Sequence, residues 1–258
     1  MPDPLQSRHL QDICLIATDM DGTLTQNSKF TAQLFHALEV LVTAQFPVLM
    51  ITGRSAGWVS GLKHYLPIQG AIAENGGLFF PPQIEAPQPL VNLPSWTQHR
   101  QNLAAMFEQL QQQFPQLQES ADNQFRLTDW TFDVTGLNAE DLQQLQQLCE
   151  QSGWGFTYST VQCHIKLKQQ DKATGLKQVL QQYYPQVTAK QVLTIGDSPN
   201  DESLFNPVDF PVSVGVANVL DYQQQLTYQP AYVTNLAEGK GFCELVELLR
   251  SRLENNGK

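Results

Sequence analysis

Positive charge is scarce in this sequence. Fifteen lysines and arginines stand against 25 aspartates and glutamates in 258 residues, a net charge of −10. So acidic a chain argues against nucleic acid or an anionic membrane as its main partner, because both are bound through basic patches. Cysteine is sparse as well. Cys14, Cys149, Cys163 and Cys243 are scattered, with no C-x-x-C pair, which points to reduced, mostly buried thiols rather than a disulfide framework. No two histidines have zinc-ligand spacing. No apolar run approaches the length of a membrane span, and the first residues, MPDPLQSRHLQD, carry no apolar signal region. The expectation is a soluble cytoplasmic protein, monomeric or homodimeric, whose partner is neither nucleic acid nor membrane.

Apolar residues make up 41% of the chain, enough for a sizeable core. They fall in short runs that each end in a polar cluster. Residues 13–19 (ICLIATD), 46–54 (FPVLMITGR), 71–77, 191–197 (QVLTIGD), 212–218 and 231–234 read as strands. Helical patterns cover 31–44, 56–65 and 172–184. Continuously apolar strands alternating with helices predict an α/β fold, a Rossmann-like doubly wound parallel sheet. The middle of the chain breaks that rhythm. A proline-rich stretch after Phe80 marks a boundary. A glutamine-rich helix over 96–114, a strand over 125–134, a helix over 139–152 and strands over 156–159 and 162–168 follow. This order predicts a separate α+β lobe at 83–168, inserted into a discontinuous core of 1–82 and 169–258. The glutamine clusters alternate with leucine at helical spacing and read as solvated helix faces. Gly239-Lys240-Gly241 lacks the rest of a phosphate loop and reads as the turn into a last helix over 242–253.

In an open α/β sheet, ligands bind outside the carboxyl ends of the strands. Four clusters fall there: DMDGTL (residues 19–24), TGR (52–54), DKATG (171–175) and GDSPND (196–201). Asp19 and Asp21, two apart beyond a buried strand, repel each other unless a cation lies between them. Asp197 at another strand tip is a natural third ligand. An oxygen-only set of this kind suits Mg²⁺. A carboxylate can also attack phosphorus and form an aspartyl-phosphate. An Asp-x-Asp-Gly turn alone is weak. The run after Asp21 lacks the later acids of an EF-hand, and Gly53 and Gly76 have a simple turn reading. The specificity lies in four motifs in order, each at the end or start of an expected element.

With those motifs, the sequence resembles the haloacid dehalogenase superfamily of phosphatases across its whole core. The lobe between the second and third motifs resembles the α/β cap of the Cof-type sugar phosphatases, mannosyl-3-phosphoglycerate phosphatases, sucrose-phosphatases and eukaryotic phosphomannomutases. The resemblance implies a Mg²⁺-dependent phosphatase acting on a small phosphorylated metabolite, a sugar phosphate or glycosyl-phosphoglycerate. By the same resemblance Asp19 is the nucleophile, and Asp21 is the acid and then the base. Thr52 and the Gly53 amide bind phosphoryl oxygens, and Lys172 neutralises charge. Asp19, the Asp21 carbonyl and Asp197 hold the metal. Asn200 and Asp201 complete the fourth motif, one toward phosphate or Lys172 and the other, here Asp201, around the metal. Asp21 and Thr23 match the phosphatases rather than the dehalogenases.

Other residues carry weaker signals. Asn75 either touches substrate or forms an Asn-Gly turn, and Arg54 either contacts substrate, caps a helix or pairs with an acid. In the inserted lobe, Arg126, Trp130, His164 and Lys166 are candidate specificity residues. His164 and Lys166 alternate along one strand and so share a face. Two rivals stand beside the phosphatase. A sugar phosphomutase of the same architecture would return the phosphate to the sugar. A non-catalytic phosphometabolite-binding module is expected to have lost a catalytic residue, whereas Asp19, Asp21, Lys172 and Asp197 are all present.

Overall fold

The computed structural model describes residues 2–84, 86–159 and 161–256. The chain runs through β1 (Asp3–Pro4), β2 (Leu15–Thr18), α1 (Ala32–Thr43), β3 (Val48–Ile51), α2 (Ala56–Tyr65), β4 (Ala71–Ala73), β5 (Leu78–Phe80) and β6 (Gln88–Pro89). It continues with α3 (Trp96–Gln113), β7 (Trp130–Asp133), α4 (Ala139–Gln151), β8 (Trp154–Tyr158) and β9 (Gln162–Leu167). It closes with α5 (Lys172–Tyr183), β10 (Val192–Gly196), β11 (Val212–Gly215), β12 (Tyr232–Val233) and α6 (Glu238–Asn256). Side chains beginning the helices cap them: Thr31, Ser55, Ser95, Asn138 and Asp171 each accept a backbone N–H of the first turn.

Nine strands form one sheet in the order β1-β12-β11-β10-β2-β3-β4-β5-β6. Pairing is parallel from β1 to β4, and antiparallel from β4 to β5 and from β5 to β6. Alternation along the buried strands splits the core in two. Ile16, Val48, Met50 and Ile195 pack under α1, α2 and α6, whereas Leu15, Ala17, Leu49 and Val192 pack under α5 with Leu204 and Phe210. Both faces are covered, so both sets of alternate residues are apolar, as the sequence led us to expect.

A second, antiparallel sheet has the order β7-β9-β8. One face packs on α3 and α4 through Leu103, Phe107, Phe132, Leu145, Cys163 and Ile165, an apolar cluster of its own.

Three expectations need correction. The strand over 125–134 is confined to Trp130–Asp133. A 3₁₀ turn occupies Ala121–Phe125, and residues 126–129 are drawn to the large sheet by hydrogen bonds to Gly53 and Glu74. The boundary after Phe80 is in fact a hairpin, in which β5 folds back on β4 and the proline-rich stretch supplies edge strand β6. The last helix begins at Glu238, so Gly239-Lys240-Gly241 forms its first turn. Glycine is used there because a β-carbon on Gly239 would stand 2.7 Å from the Leu24 carbonyl oxygen.

Gly76 shows how tightly the two halves of the core meet. Its φ is +97°, and a β-carbon there would collide with the Asp171 carbonyl at the start of α5. Gly76→Ala therefore combines strain with a backbone clash, and a loss of about 2 kcal/mol or more is expected in urea unfolding.

Candidate active site

Three parallel strands and one helix build the floor of the site. Neighbouring strands β2 and β10 end side by side, and the Asp19 amide still bonds the Ile195 carbonyl at 2.8 Å. Asp19 and Asp197 thus leave adjacent strand tips. The turn after Asp19 passes so close to Asp197 that Gly22, at φ +81°, has no room for a β-carbon. Asp201 lies in the 3₁₀ turn Pro199–Phe205, where its Oδ2 accepts the amides of Asp197 (2.9 Å) and Ser198 (3.2 Å). Lys172 opens α5. Its Nζ donates to Asp19 Oδ1 at 2.5 Å and to Asp201 Oδ1 at 2.6 Å. Asp197 accepts from Thr23 Oγ1 at 3.3 Å and Asn218 Nδ2 at 2.9 Å.

These charges are out of water. Burial raises Asp197 well above the ordinary carboxylate range, with Asp19 and Asp201 adding to the effect. Burial also pushes Asp19 up to about 7, against the pull of Lys172. The two aspartates hold Lys172 above its usual range in spite of its own desolvation. Carboxylate oxygens of Asp19, Asp197 and Asp201 lie within 4.8 Å of one another. One ammonium faces three carboxylates, and the donors are hard oxygens, so the residues fit a small divalent cation such as Mg²⁺.

Above this floor, Thr52 and Gly53 leave β3. Thr52 is buried, and its Oγ1 accepts the Arg54 amide at 3.1 Å. Arg54 grips Asp21 with two 2.7 Å bonds and stacks on Trp58 at 4.5 Å. Of its three readings, pairing with an acid is the one seen. Asn75 sits in the left-handed region at φ +52° and accepts from Asn200 Nδ2 at 3.1 Å, while its own Nδ2 is buried without a partner.

The small sheet closes the top. Asp19, Asp21, Gly53, Arg54, His164 and Asn200 line one cavity, with Ser159 and Gln162 at its rim. Thr52, Lys172, Asp197 and Asp201 are buried. Lys166 shares the His164 face as expected, donates to the Gln170 carbonyl at 2.5 Å and lines a neighbouring hollow with Asn75 and Asn200. Arg126 binds the Gly53 carbonyl at 2.9 Å and pairs with Asp122 and Asp129. Trp130 is turned away. It packs on Phe107 of α3 and under Arg100, and lines no part of this cavity.

Sequence reasoning missed Asn218, Glu74 and Asp129. Asn218 closes the apolar run 212–218, the same signal that exposed Asp19 and Asp197. Glu74 was hidden in the AENGG string. Its buried carboxylate accepts the amides of Ala56 (2.9 Å), Leu127 (3.0 Å) and Thr128 (2.6 Å), and the Thr128 hydroxyl at 2.7 Å.

The fold and this aspartate–lysine cluster define a phosphatase of the haloacid dehalogenase superfamily, Cof-type: a phosphoric monoester hydrolase. The sequence model for sucrose-6F-phosphate phosphohydrolase matches residues 13–247, and the chain belongs to that family. A phosphoglycolate phosphatase of Methanothrix thermoacetophila is 27% identical over 92% of this chain and 96% of its own. Among solved structures, the sucrose-phosphatase of Synechocystis, crystallised with sucrose and phosphate, superposes with a TM-score of 0.67 at 17% identity, covering 93% of this chain and 98% of its own. The C-terminal domain of Candida albicans trehalose-6-phosphate phosphatase reaches a TM-score of 0.72 at 14% identity, covering 97% and 98%. Among the described residues, no helix is long and apolar enough to cross a membrane.

Glu74→Ala would leave three amides without their acceptor at the junction of the two sheets. A loss of about 3 kcal/mol is expected in urea unfolding; an unchanged midpoint and slope would show that water replaces the carboxylate.

Proposed function

We propose that the protein is a Mg²⁺-dependent phosphatase that hydrolyses a small phosphomonoester, a sugar phosphate or glycosyl-phosphoglycerate, through a phosphoaspartate on Asp19. The observation that carries this reading is the buried Asp19–Lys172–Asp201 chain beside Asp197. Phosphoryl transfer needs positioned positive charge and fixed donors more than it needs covalent help from the protein.

Asp19 attacks phosphorus in line with the departing oxygen. One P–O bond forms, the ester P–O bond breaks, and Asp21 passes its proton to the leaving oxygen. Asp21 then takes a proton from water, whose oxygen attacks phosphorus and releases Asp19 and inorganic phosphate. In this structure Arg54 holds both Asp21 oxygens at the wall of the cavity, so Asp21 has to leave that pair to carry the proton it gives. Thr52 and the Gly53 amide hold phosphoryl oxygens in this reading, and Lys172 keeps its charge against Asp19 throughout. The carboxylates of Asp19, Asp197 and Asp201, with the Asp21 carbonyl, would hold Mg²⁺, which when bound neutralises charge on the phosphoryl oxygens.

The part of 83–168 that follows β6 acts in this reading as a cap over the core, since β6 itself stays in the large sheet. Free space above Asp19 amounts to about 10 Å³, room for a single water molecule. The cap therefore swings away to admit substrate and returns to exclude bulk water. The cellular partner is then a small phosphorylated metabolite.

The test is release of inorganic phosphate from a panel of phosphorylated sugars, 2-phosphoglycolate and p-nitrophenyl phosphate, with Mg²⁺ and with EDTA. Release that EDTA abolishes is expected. Conversion of a hexose 1-phosphate to its 6-phosphate without release would make the protein a mutase instead. Asp19→Asn is expected to lower turnover by about 10,000-fold with an unchanged circular dichroism spectrum; near-normal turnover in that variant would remove Asp19 as nucleophile.

A further inference from the structure

A hollow lies beside the cavity over Asp19, between the small sheet and the 3₁₀ turn Pro199–Phe205. Thr157 and Lys166 border it from the small sheet, and Asn75, Asn200, Glu202 and Tyr228 border it from the core. Its free space is about 240 Å³, against about 10 Å³ above Asp19. That is a little under the roughly 300–1,000 Å³ of a site for a whole drug-sized ligand, and so the size for part of one, such as a sugar ring.

The two spaces are neighbours. Asn200 lines both. On β9, His164 lines the cavity and Lys166, two residues on, lines the hollow. Successive residues on one face of a strand stand about 7 Å apart, so the two spaces are offset by about that distance along β9. A two-carbon acid ends too close to phosphorus to span it. The far hydroxyls of a sugar ester reach that far.

The polar groups of the hollow are incompletely used. Lys166 is buried, and its ammonium has one hydrogen-bond partner among the described residues, the Gln170 carbonyl at 2.5 Å. Its remaining donors are left for a ligand or water. Burial pushes it toward the neutral form, against the pull of Asp171 and Asp129, so an acceptor there has value. Glu202 Oε1 accepts the amides of Thr227 at 3.0 Å and Tyr228 at 3.3 Å. Its Oε2 has no partner among the described residues. Asp171 also borders the hollow, but Thr174 engages both of its oxygens.

We propose that this hollow receives the far end of the leaving alcohol, with Lys166 and Glu202 as specificity-determining residues that hold hydroxyls of a sugar ring. A hydroxyl both donates and accepts. A ring carrying several of them can give a proton to Glu202 Oε2 and accept one from Lys166 Nζ. A carboxylate suits Lys166 but sets its charge against Glu202, and an ammonium group meets the reverse conflict. An alkyl chain displaces water and leaves both groups unpaired, which costs most at a site made to hydrogen-bond. Because residues of the cap and of the core both border the hollow, it is complete only when the two are together. The proposal rests on the phosphatase reading above and narrows its substrate class.

Three esters test it with Mg²⁺ present: the phosphorylated sugar hydrolysed fastest in the panel above, n-hexyl phosphate, which has the reach without the hydroxyls, and 2-phosphoglycolate, which is too short. The quantities read are ratios of kcat/KM. The wild-type protein is expected to favour the sugar ester over each of the other two by about tenfold or more. Lys166→Met, which keeps the apolar stem, should shrink the ratio of sugar to n-hexyl ester by about fivefold. Thr157→Trp fills the hollow from a half-buried position on β8, and covers the case in which Lys166→Met fails to fold. It should shrink the ratio of sugar ester to 2-phosphoglycolate by a similar factor. An unchanged ratio in either folded variant, or equal losses on all three esters, would overturn the proposal. So would a wild-type preference for n-hexyl phosphate or 2-phosphoglycolate, or hydrolysis of p-nitrophenyl phosphate but of no sugar phosphate. Hydrolysis of no ester at all would instead defeat the underlying phosphatase reading.

Discussion

One ammonium group holds the site together. Lys172 Nζ lies between Asp19 and Asp201 with no exposed surface of its own. A lone lysine in such a place would shed its proton, and a lone aspartate would take one. Together each supplies part of what the other lost on leaving water: the aspartates keep the charge on Lys172, and Lys172 opposes the upward push that burial gives Asp19. The elements that carry them are tied by the same contacts: β2 through Asp19, the turn after β10 through Asp201, and α5 through Lys172. Asp201 extends the tie by accepting the Asp197 and Ser198 amides. The cluster remains over-endowed with negative charge, and that surplus is what makes it receptive to a cation.

The joint between the two sheets depends on a second buried acid. Glu74, in the left-handed region at φ +52°, turns its carboxylate toward the start of α2 and the segment entering β7. Burial raises its pKa, with Asp129 adding to the effect while Arg126 and backbone amides oppose it. Its bonds to Leu127 and Thr128 fix the backbone between Arg126 and Asp129. The position of His164 over Gly53 is therefore set by a residue of the core, through Thr128 and Asp129, as well as by its own strand. That chain starts at the joint and ends at His164 on the wall of the cavity, so the joint and the site share one set of contacts.

Much of this was legible in the sequence, for a physical reason. Asp19, Thr52 and Asp197 follow fully buried strands, and a polar residue after an apolar run is conspicuous. Helices with capping residues, such as α2 behind Ser55 and α5 behind Asp171, were read to within a residue or two. The alternation that put His164 and Lys166 on one face was readable too. The illegible parts are those in which a distant partner overrides local pattern. Residues 125–129 look like strand until Glu74 and Gly53 are present to take their hydrogen bonds. Strand β6 exists because β5 folds back to meet it, and a glutamine between two prolines carries no signal for that. Trp130 and His164 both looked like specificity residues from their strands alone. Which face of the small sheet meets the helices sends Trp130 to Phe107 and His164 to the site.

The glycines show why such a site admits so little drift. At Gly22 the backbone runs against Asp197, at Gly53 against His164 and Asn75, and at Gly76 against Asp171. Each is a place where two segments distant in sequence approach to the distance of a missing β-carbon. At Gly22 and Gly76 the positive φ adds a backbone conformation that other residues rarely adopt. Gly53 differs, for its conformation is ordinary and only the space is needed. Without a β-carbon there, His164 of the small sheet and Asn75 of the core can close on the same stretch of backbone, to 3.1 and 3.2 Å from where that carbon would stand.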